Sequence, residues 1–168
     1  MSLGAEFLGR GEVPIQQYDN TCGPAALMYA LSLLGVEATE EELAKLSGTT
    51  PEGTSMLGLM QAARTFGFDA AGYRVDPADV DRLPIPAVLF LPARKHFVVL
   101  TEVTPDSVHV ADPALGHLKF TRHSLAAYSG RIRPLIPVES VHLLRMKSTT
   151  VCGDSRPPIP AQIDRLES

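Results

Sequence analysis

QQYDNTCGPAALMYALSLLG, residues 16–35, sets a cysteine directly before Gly-Pro-Ala-Ala and then an apolar run without glycine or proline. Leu27, Tyr29, Ala30, Leu31, Leu33 and Leu34 predict a buried helix over 22–34, stopped and capped by Gly35. Pro24 suits its first turn, where the missing N–H would have no partner anyway. Thr21 and Asn20 are the candidate N-caps, which leaves Cys22 in the first turn. Free backbone amides and the helix dipole favour a thiolate there. Gly23 would let a substrate backbone approach. The competing reading is a buried structural cysteine, the usual state of a free thiol.

The bulk numbers narrow the function classes. A chain of 168 residues fits one domain and can bury a core without disulfide staples. With a net charge of −4 and no run of Lys or Arg, nucleic acid and anionic membranes are poor candidates for the main partner. No stretch is long and apolar enough to span a bilayer. Cys22 and Cys152 are the two cysteines and make no secreted disulfide framework, although a single bridge between them is an open alternative. No apolar segment of signal-peptide length opens the chain. Localisation stays open between a cytoplasmic protein and an exported one whose signal has been removed.

Working outward, residues 1–13 read as a flexible, Gly-rich leader, 14–146 as a single domain and 147–168 as a Pro-rich tail. ATEEELAKLSG predicts a second helix, with Thr39 as cap, Glu42 completing a capping box and Gly48 as the stop. TSMLGLMQAARTFG predicts a third, with Ser55 as cap and Gly67 as the stop. The texture then changes. FDAAGYRV reads as a strand and DPADVDRL as a short helix with Asp76 and Pro77 at its start. IPAVLFLP, HFVVLTEV, SVHVADP and LGHLKFTR read as strands, and RHSLAAYSG as a short helix. RIRPLIPV and SVHLLRM read as edge strands, because proline suits edges. Helices followed by mainly antiparallel strands predict an α+β domain. Its two halves should meet along a cleft, where sites tend to form.

A nucleophilic thiol needs a base. Of the five histidines, His96 stands at the mouth of the strongly apolar KHFVVL strand. His109 sits on the face opposite Val108 and Val110, His117 and His123 lie in loop-like surroundings, and His142 begins a late strand. HFVVLTEV-TPD-SVHVADP reads as a hairpin turning at Thr104-Pro105-Asp106-Ser107. Pairing Val98 with Val110 and Leu100 with Val108 would put Asp112 beside His96, to hold its ring and tautomer. The competing reading of Asp112 is a turn-forming residue before Pro113. Acyl transfer also needs donors for the developing oxyanion; the Cys22 N–H and the side-chain amide of Gln16, or of its neighbour Gln17, are candidates.

The glutamine six residues before CGPAAL, followed by LLG, GTSMLGLMQAARTFG, HFVVL, VADPALG and YSG, resembles the papain-like cysteine peptidases of the bacteriocin-processing, double-glycine type. The resemblance runs from about residue 14 to 135. It implies a papain-like fold with the nucleophile at a helix start packed on a mainly antiparallel sheet. It also implies Cys22 as nucleophile, His96 as general base and acid, Asp112 as its orienting partner and Gln16 as the oxyanion-hole amide. The implied reaction is cleavage after small residues, often Gly-Gly, in a leader or precursor peptide, with no metal or organic cofactor. The implied partner is a peptide or protein substrate with a small-residue cleavage site, with room for a transporter partner. Two features depart from the family's pattern. There is no transporter membrane segment or P-loop, as expected of a free-standing member, and YSG stands where the family often has Trp-Ser-Gly. An acyltransferase on the same thiol–imidazole pair, and a catalytically silent leader-binding module, are the alternative functions.

Overall fold

The computed structural model describes residues 4–129, 141–148 and 164–165. The helical half comes first among its large elements: α1 (Cys22–Leu33), α2 (Glu40–Leu46) and α3 (Met56–Thr65). Each begins and ends largely where local chemistry says it should. Thr39 Oγ1 accepts the Glu42 N–H at 3.2 Å, and Ser55 Oγ accepts the Gly58 N–H at 3.0 Å. At the end of α1 the Val36 N–H reaches the Leu31 carbonyl and the Gly35 N–H the Ser32 carbonyl, both at 3.0 Å. This paired closure requires a left-handed residue, and Gly35 supplies it at φ 79°. Gly48, at φ 63°, closes α2 in the same way.

The strands are β1 (Ala5–Gly9), β2 (Phe68–Val75), β3 (Ala87–Leu91), β4 (His96–Val103), β5 (Ser107–Asp112), β6 (Gly116–Thr121), β7 (Val141–Ser148) and the two-residue β8 (Asp164–Arg165). They form one antiparallel sheet in the order β1-β6-β5-β4-β3-β7-β2-β8. Two 3₁₀ turns (Pro77–Arg82 and Pro92–Arg94) and the helix α4 (Arg122–Ser129) complete the described elements. The domain is α+β, as expected.

Two apolar layers explain why β3 and β4 read as unbroken hydrophobic runs. Val88, Phe97 and Val99 face Ala26, Leu27, Leu31, Leu43 and Leu59 of the helical half. Their neighbours Leu89, Leu91, Val98 and Leu100 face the other way, against Val80 of the first 3₁₀ turn, Leu83 just after it and Leu125 of α4. A strand covered on both sides loses its alternation of apolar and polar residues. Each fully buried Leu contributes about 1.5–3 kcal/mol of transfer energy, so the interlocked Leu27 and Leu31 do much to fix α1 on β4.

Four expectations are corrected. Residues 5–9 are not a loose leader but strand β1, paired on β6, with Val13 buried in the core. Exposed Glu6, Phe7 and Leu8 hide this, because an edge strand with little burial carries no apolar face. SVHLLRM does not form an edge. β7 lies between β3 and β2 and pairs with both. The strand also runs on to Ser148, inside the segment read as tail, and Asp164–Arg165 pair with Tyr73–Arg74. The hairpin register differs by two: Val99 pairs with Ala111 and Leu100 with Val110, and a bulge at Thr101 precedes the Glu102–His109 and Val103–Val108 pairs. The RIRPLIPV reading and Cys152 lie outside the described residues.

Candidate active site

The register correction leaves the key geometry intact. Continuing the observed pairing sets Asp112 opposite Val98, and His96 lies two residues further along β4. A slide of two keeps both side chains on one side of their strands, where diagonal neighbours are within reach of long side chains. His96 Nε2 and Asp112 Oδ1 meet at 2.8 Å. Asp112 is buried, with its side chain 2% exposed and that of His96 17% exposed. The same Oδ1 accepts the Ala114 N–H at 2.8 Å, so the carboxylate is held by the turn that follows it. Both readings of Asp112 are therefore realised at once: it shapes the turn and it grips the imidazole.

Cys22 comes to that ring as well. It is a free, buried thiol at the first residue of α1. With Nε2 held by Asp112, the ring also interacts with the Cys22 thiol, and each group shifts the other's pKa. Burial by itself would raise the thiol pKa. The His96 hydrogen bond, the Phe97 backbone N–H, the His96 charge and the Gly23 backbone N–H outweigh it, and the thiol is lowered. Burial likewise would lower His96, but the hydrogen bonds and charges of Asp112 and Cys22 push it up to about 9. The two shifts point the same way, and both favour a proton on the ring and negative charge on sulfur.

The loop before α1 is built to leave that helix end open. Thr21 occupies the N-cap position, yet its side chain makes no capping bond. Its hydroxyl is donated to the Tyr18 carbonyl at 2.8 Å and accepts the Tyr18 N–H at 3.1 Å. Asn20 does not cap either; its Nδ2 donates to the Thr50 carbonyl at 2.8 Å, tying the loop to the α2–α3 connection. Gly23 is closely packed within the protein. A Cβ there would lie 3.1 Å from Thr54 Cβ and 3.3 Å from Phe97 Cδ2, so a larger residue would crowd both neighbours.

Gln16 and Gln17 part ways. Gln17 is exposed, whereas Gln16 is half-buried and its N–H donates to the Pro113 carbonyl at 2.9 Å, one residue beyond Asp112. Gln16 Nε2 donates to the Tyr18 carbonyl at 2.9 Å, and its Oε1 is buried with no partner among the described residues. No hydrogen bond joins Gln16 to Cys22 in this state. Three other histidines stand apart. His109 pairs with Glu102, His117 packs edge-on against Tyr29, and His123 is exposed. No group of three or more metal-ligating side chains exists among the described residues. Sequence reasoning missed Glu40 and read Thr21 only as a cap, although both fix the loop carrying Gln16; a buried Glu at a helix start has no signal in one sequence.

The family model for the Peptidase C39 family matches residues 12–132. The chain belongs to that family. An uncharacterized protein of Methanothermobacter marburgensis is 39% identical over 116 residues, covering 69% of this chain and 81% of that protein. The probable functional amyloid protease FapD of Pseudomonas aeruginosa is 36% identical over 115 residues, covering 62% of this chain but 51% of its own length. Among solved structures, a double glycine motif protease from an AMS/PCAT transporter, in complex with the leader peptide, superimposes with a TM-score of 0.68 at 25% identity, over 86% of this chain and 98% of that one. The peptidase domain of Streptococcus ComA superimposes at 0.65 with 19% identity over 80% of this chain and 96% of its own, which speaks for the fold alone. The fold is that of the papain-like C39 peptidase domains, and the family makes this chain a cysteine peptidase. No helix among the described residues is long and apolar enough to cross a membrane.

Proposed function

We propose that this peptidase cuts a leader or precursor peptide after small residues, using Cys22 as nucleophile, His96 as base and acid and Asp112 as its orienting partner. The observation that carries the reading is the His96 ring, held by Asp112 at 2.8 Å and close enough to the Cys22 thiol to lower its pKa. In this mechanism the Cys22 thiolate attacks the scissile carbonyl. The Cys22 N–H and the remaining Nε2 hydrogen of Gln16 stabilise the oxyanion. His96 gives its proton to the leaving amine, and a thioester remains on Cys22. His96 then takes a proton from water, hydroxide attacks the thioester, and the acid product leaves. Asp112 keeps the ring oriented and supports its charge without accepting the proton.

Small-residue specificity rests on the likeness to the double glycine motif protease. The partner this implies is a peptide with a small-residue site, and a transporter could deliver it. The test is cleavage of a synthetic Gly-Gly leader peptide by wild type and Cys22→Ala. Wild type should cut after the second glycine and Cys22→Ala should not. Replacing that glycine by Leu should abolish cutting. Equal cutting of the Gly and Leu peptides would overturn the specificity, and cutting by Cys22→Ala would overturn the nucleophile.

A further inference from the structure

We propose that Glu40 is a positioning residue for the oxyanion-hole glutamine, acting through the backbone of Gln17. The proposal rests on the peptidase reading of Cys22 and Gln16 above. Glu40 is the first residue of α2 and is 4% exposed, while its neighbours Glu41 and Glu42 are exposed. A carboxylate at a helix start gains from the helix dipole whether or not it is buried, so the dipole does not explain the burial. Burying a carboxylate is costly unless hydrogen bonds compensate it. Glu40 Oε1 accepts the Gln17 N–H at 2.9 Å, across 23 positions of sequence.

That bond has a counterpart on the other half of the molecule. The Gln16 N–H donates to the Pro113 carbonyl at 2.9 Å. The amides on either side of the Gln16 Cα are therefore anchored to different bodies, one to α2 and one to the residue after Asp112. Together they fix the backbone from which the Gln16 side chain leaves. Nε2 spends one hydrogen on the Tyr18 carbonyl, and a primary amide has two. The side chain is drawn inward, with its Oε1 buried. Rapid catalysis needs an oxyanion donor already in place, since its value lies in avoiding reorganisation during the reaction. Release of the Gln17 amide would let the Gln16 segment pivot on Pro113 and Tyr18.

The experiment compares Glu40→Ala, Glu40→Gln, Gln16→Ala and the Gln16→Ala/Glu40→Ala pair on one Gly-Gly leader peptide. Thermal unfolding verifies that each variant is folded at the assay temperature. Glu40→Ala should lower kcat by about ten-fold or more with KM nearly unchanged, because the oxyanion exists only in the transition state. Glu40→Gln keeps an Oε1 acceptor and should stay within about two- to three-fold of wild type. The double variant should be no slower than Gln16→Ala alone. Alkylation of Cys22 by iodoacetamide forms no oxyanion and should proceed at the wild-type rate in Glu40→Ala. Wild-type kcat in Glu40→Ala, equal losses in Glu40→Gln and Glu40→Ala, losses that add in full to those of Gln16→Ala, or slowed alkylation would each overturn the proposal. Cleavage that survives Cys22→Ala would instead overturn the peptidase reading beneath it, so the two failures are distinguishable.

Discussion

The β4–β5 hairpin carries a histidine–carboxylate pair at each end. At its open end His96 meets Asp112 at 2.8 Å; near its turn His109 Nδ1 lies 3.4 Å from Glu102. The chemistry of the partners is the same, and solvent separates them. The Asp112 side chain is 2% exposed and that of Glu102 58%. A buried carboxylate that also accepts the Ala114 N–H has one geometry, and the ring it holds is pushed up to about 9. An exposed glutamate shares its charge with water, and such pairs are worth little. The Cys22 thiol comes to the buried pair. A histidine beside an acid is therefore a weak signal; a histidine beside a buried acid and a helix-start thiol is a strong one.

The largest effect expected from that contrast is in turnover. His96→Ala and Cys22→Ala should each lower kcat/KM by about 10³-fold or more, since each removes a chemical step. His109→Ala should stay within about two-fold, because no catalytic step uses it. Steady-state kinetics on one leader peptide decide it. A His109→Ala variant as damaged as His96→Ala would break the comparison.

Asp112 comes next. Asp112→Asn keeps an acceptor for the ring N–H and should lose on the order of ten-fold, while Asp112→Ala should lose on the order of a hundred-fold. The charge matters separately. The acid limb of kcat/KM against pH reports protonation of the lowered Cys22 thiol, and the alkaline limb reports loss of the proton from His96, near 9 in the wild type. Removing the carboxylate lowers the His96 pKa and weakens the charge that holds the thiol down. The alkaline limb should therefore move to lower pH, the acid limb to higher pH, and the profile should narrow. Glu102→Gln should leave both limbs in place. An unchanged profile in Asp112→Asn would mean that burial, not the carboxylate, sets the ring.

Much of this was legible in the sequence, and the limits have physical causes. Caps and stops are local chemistry, so Thr39, Ser55, Gly35 and Gly48 could be read off. β3 and β4 could be read as strands because their apolar runs are short and bounded by proline. The His96–Asp112 pairing survived a wrong register because a two-residue slide preserves side-chain parity, while the Thr101 bulge that sets the true register has no mark in composition. What stayed hidden is non-local. β7 inserts between two strands far from it in sequence, and β1 is an edge with exposed side chains. The Glu40–Gln17 bond joins the loop before α1 to the start of α2, which no periodicity relates. Thr21 looked like a cap and became a lock on Tyr18, since a hydroxyl at that position has two uses and only the fold chooses between them.

A smaller effect concerns thiol reactivity apart from turnover. Cys22 should react with iodoacetamide faster than Cys152 near neutral pH, as a thiolate held by an imidazolium and a helix start. His96→Ala should slow that reaction because the thiol loses its largest pKa-lowering partner, while His109→Ala should not. Mass spectrometry after brief labelling reads both rates. Faster labelling of Cys152 would place the reactive thiol elsewhere.

The smallest effect is the one that bounds the contrast from below. The Glu102–His109 pair bridges the Thr101 bulge, where Glu102 faces His109 in the register and Thr101 Oγ1 donates to the His109 carbonyl at 3.2 Å. A reader could therefore credit the ion pair with pinning the bulge, and through it the register that sets Asp112 near His96. The geometry argues otherwise. Glu102 is open to water, and His109 has a second partner in Ser107 Oγ at 3.2 Å, so its ring keeps a hydrogen bond when the glutamate is lost. Buried Val108, Val110 and Leu100 hold the register instead, since a one-residue slip would turn them out of the core. A double-mutant cycle with Glu102→Gln and His109→Ala, followed by urea unfolding, should give a coupling below about 1 kcal/mol that shrinks further in high salt. Val110→Ala should cost on the order of 1–3 kcal/mol and lower kcat/KM as well, because it loosens the strand that carries Asp112. A coupling energy as large as the Val110→Ala loss would mean that the solvent-exposed pair also builds the site, and the distinction between the two ends of the hairpin would fail.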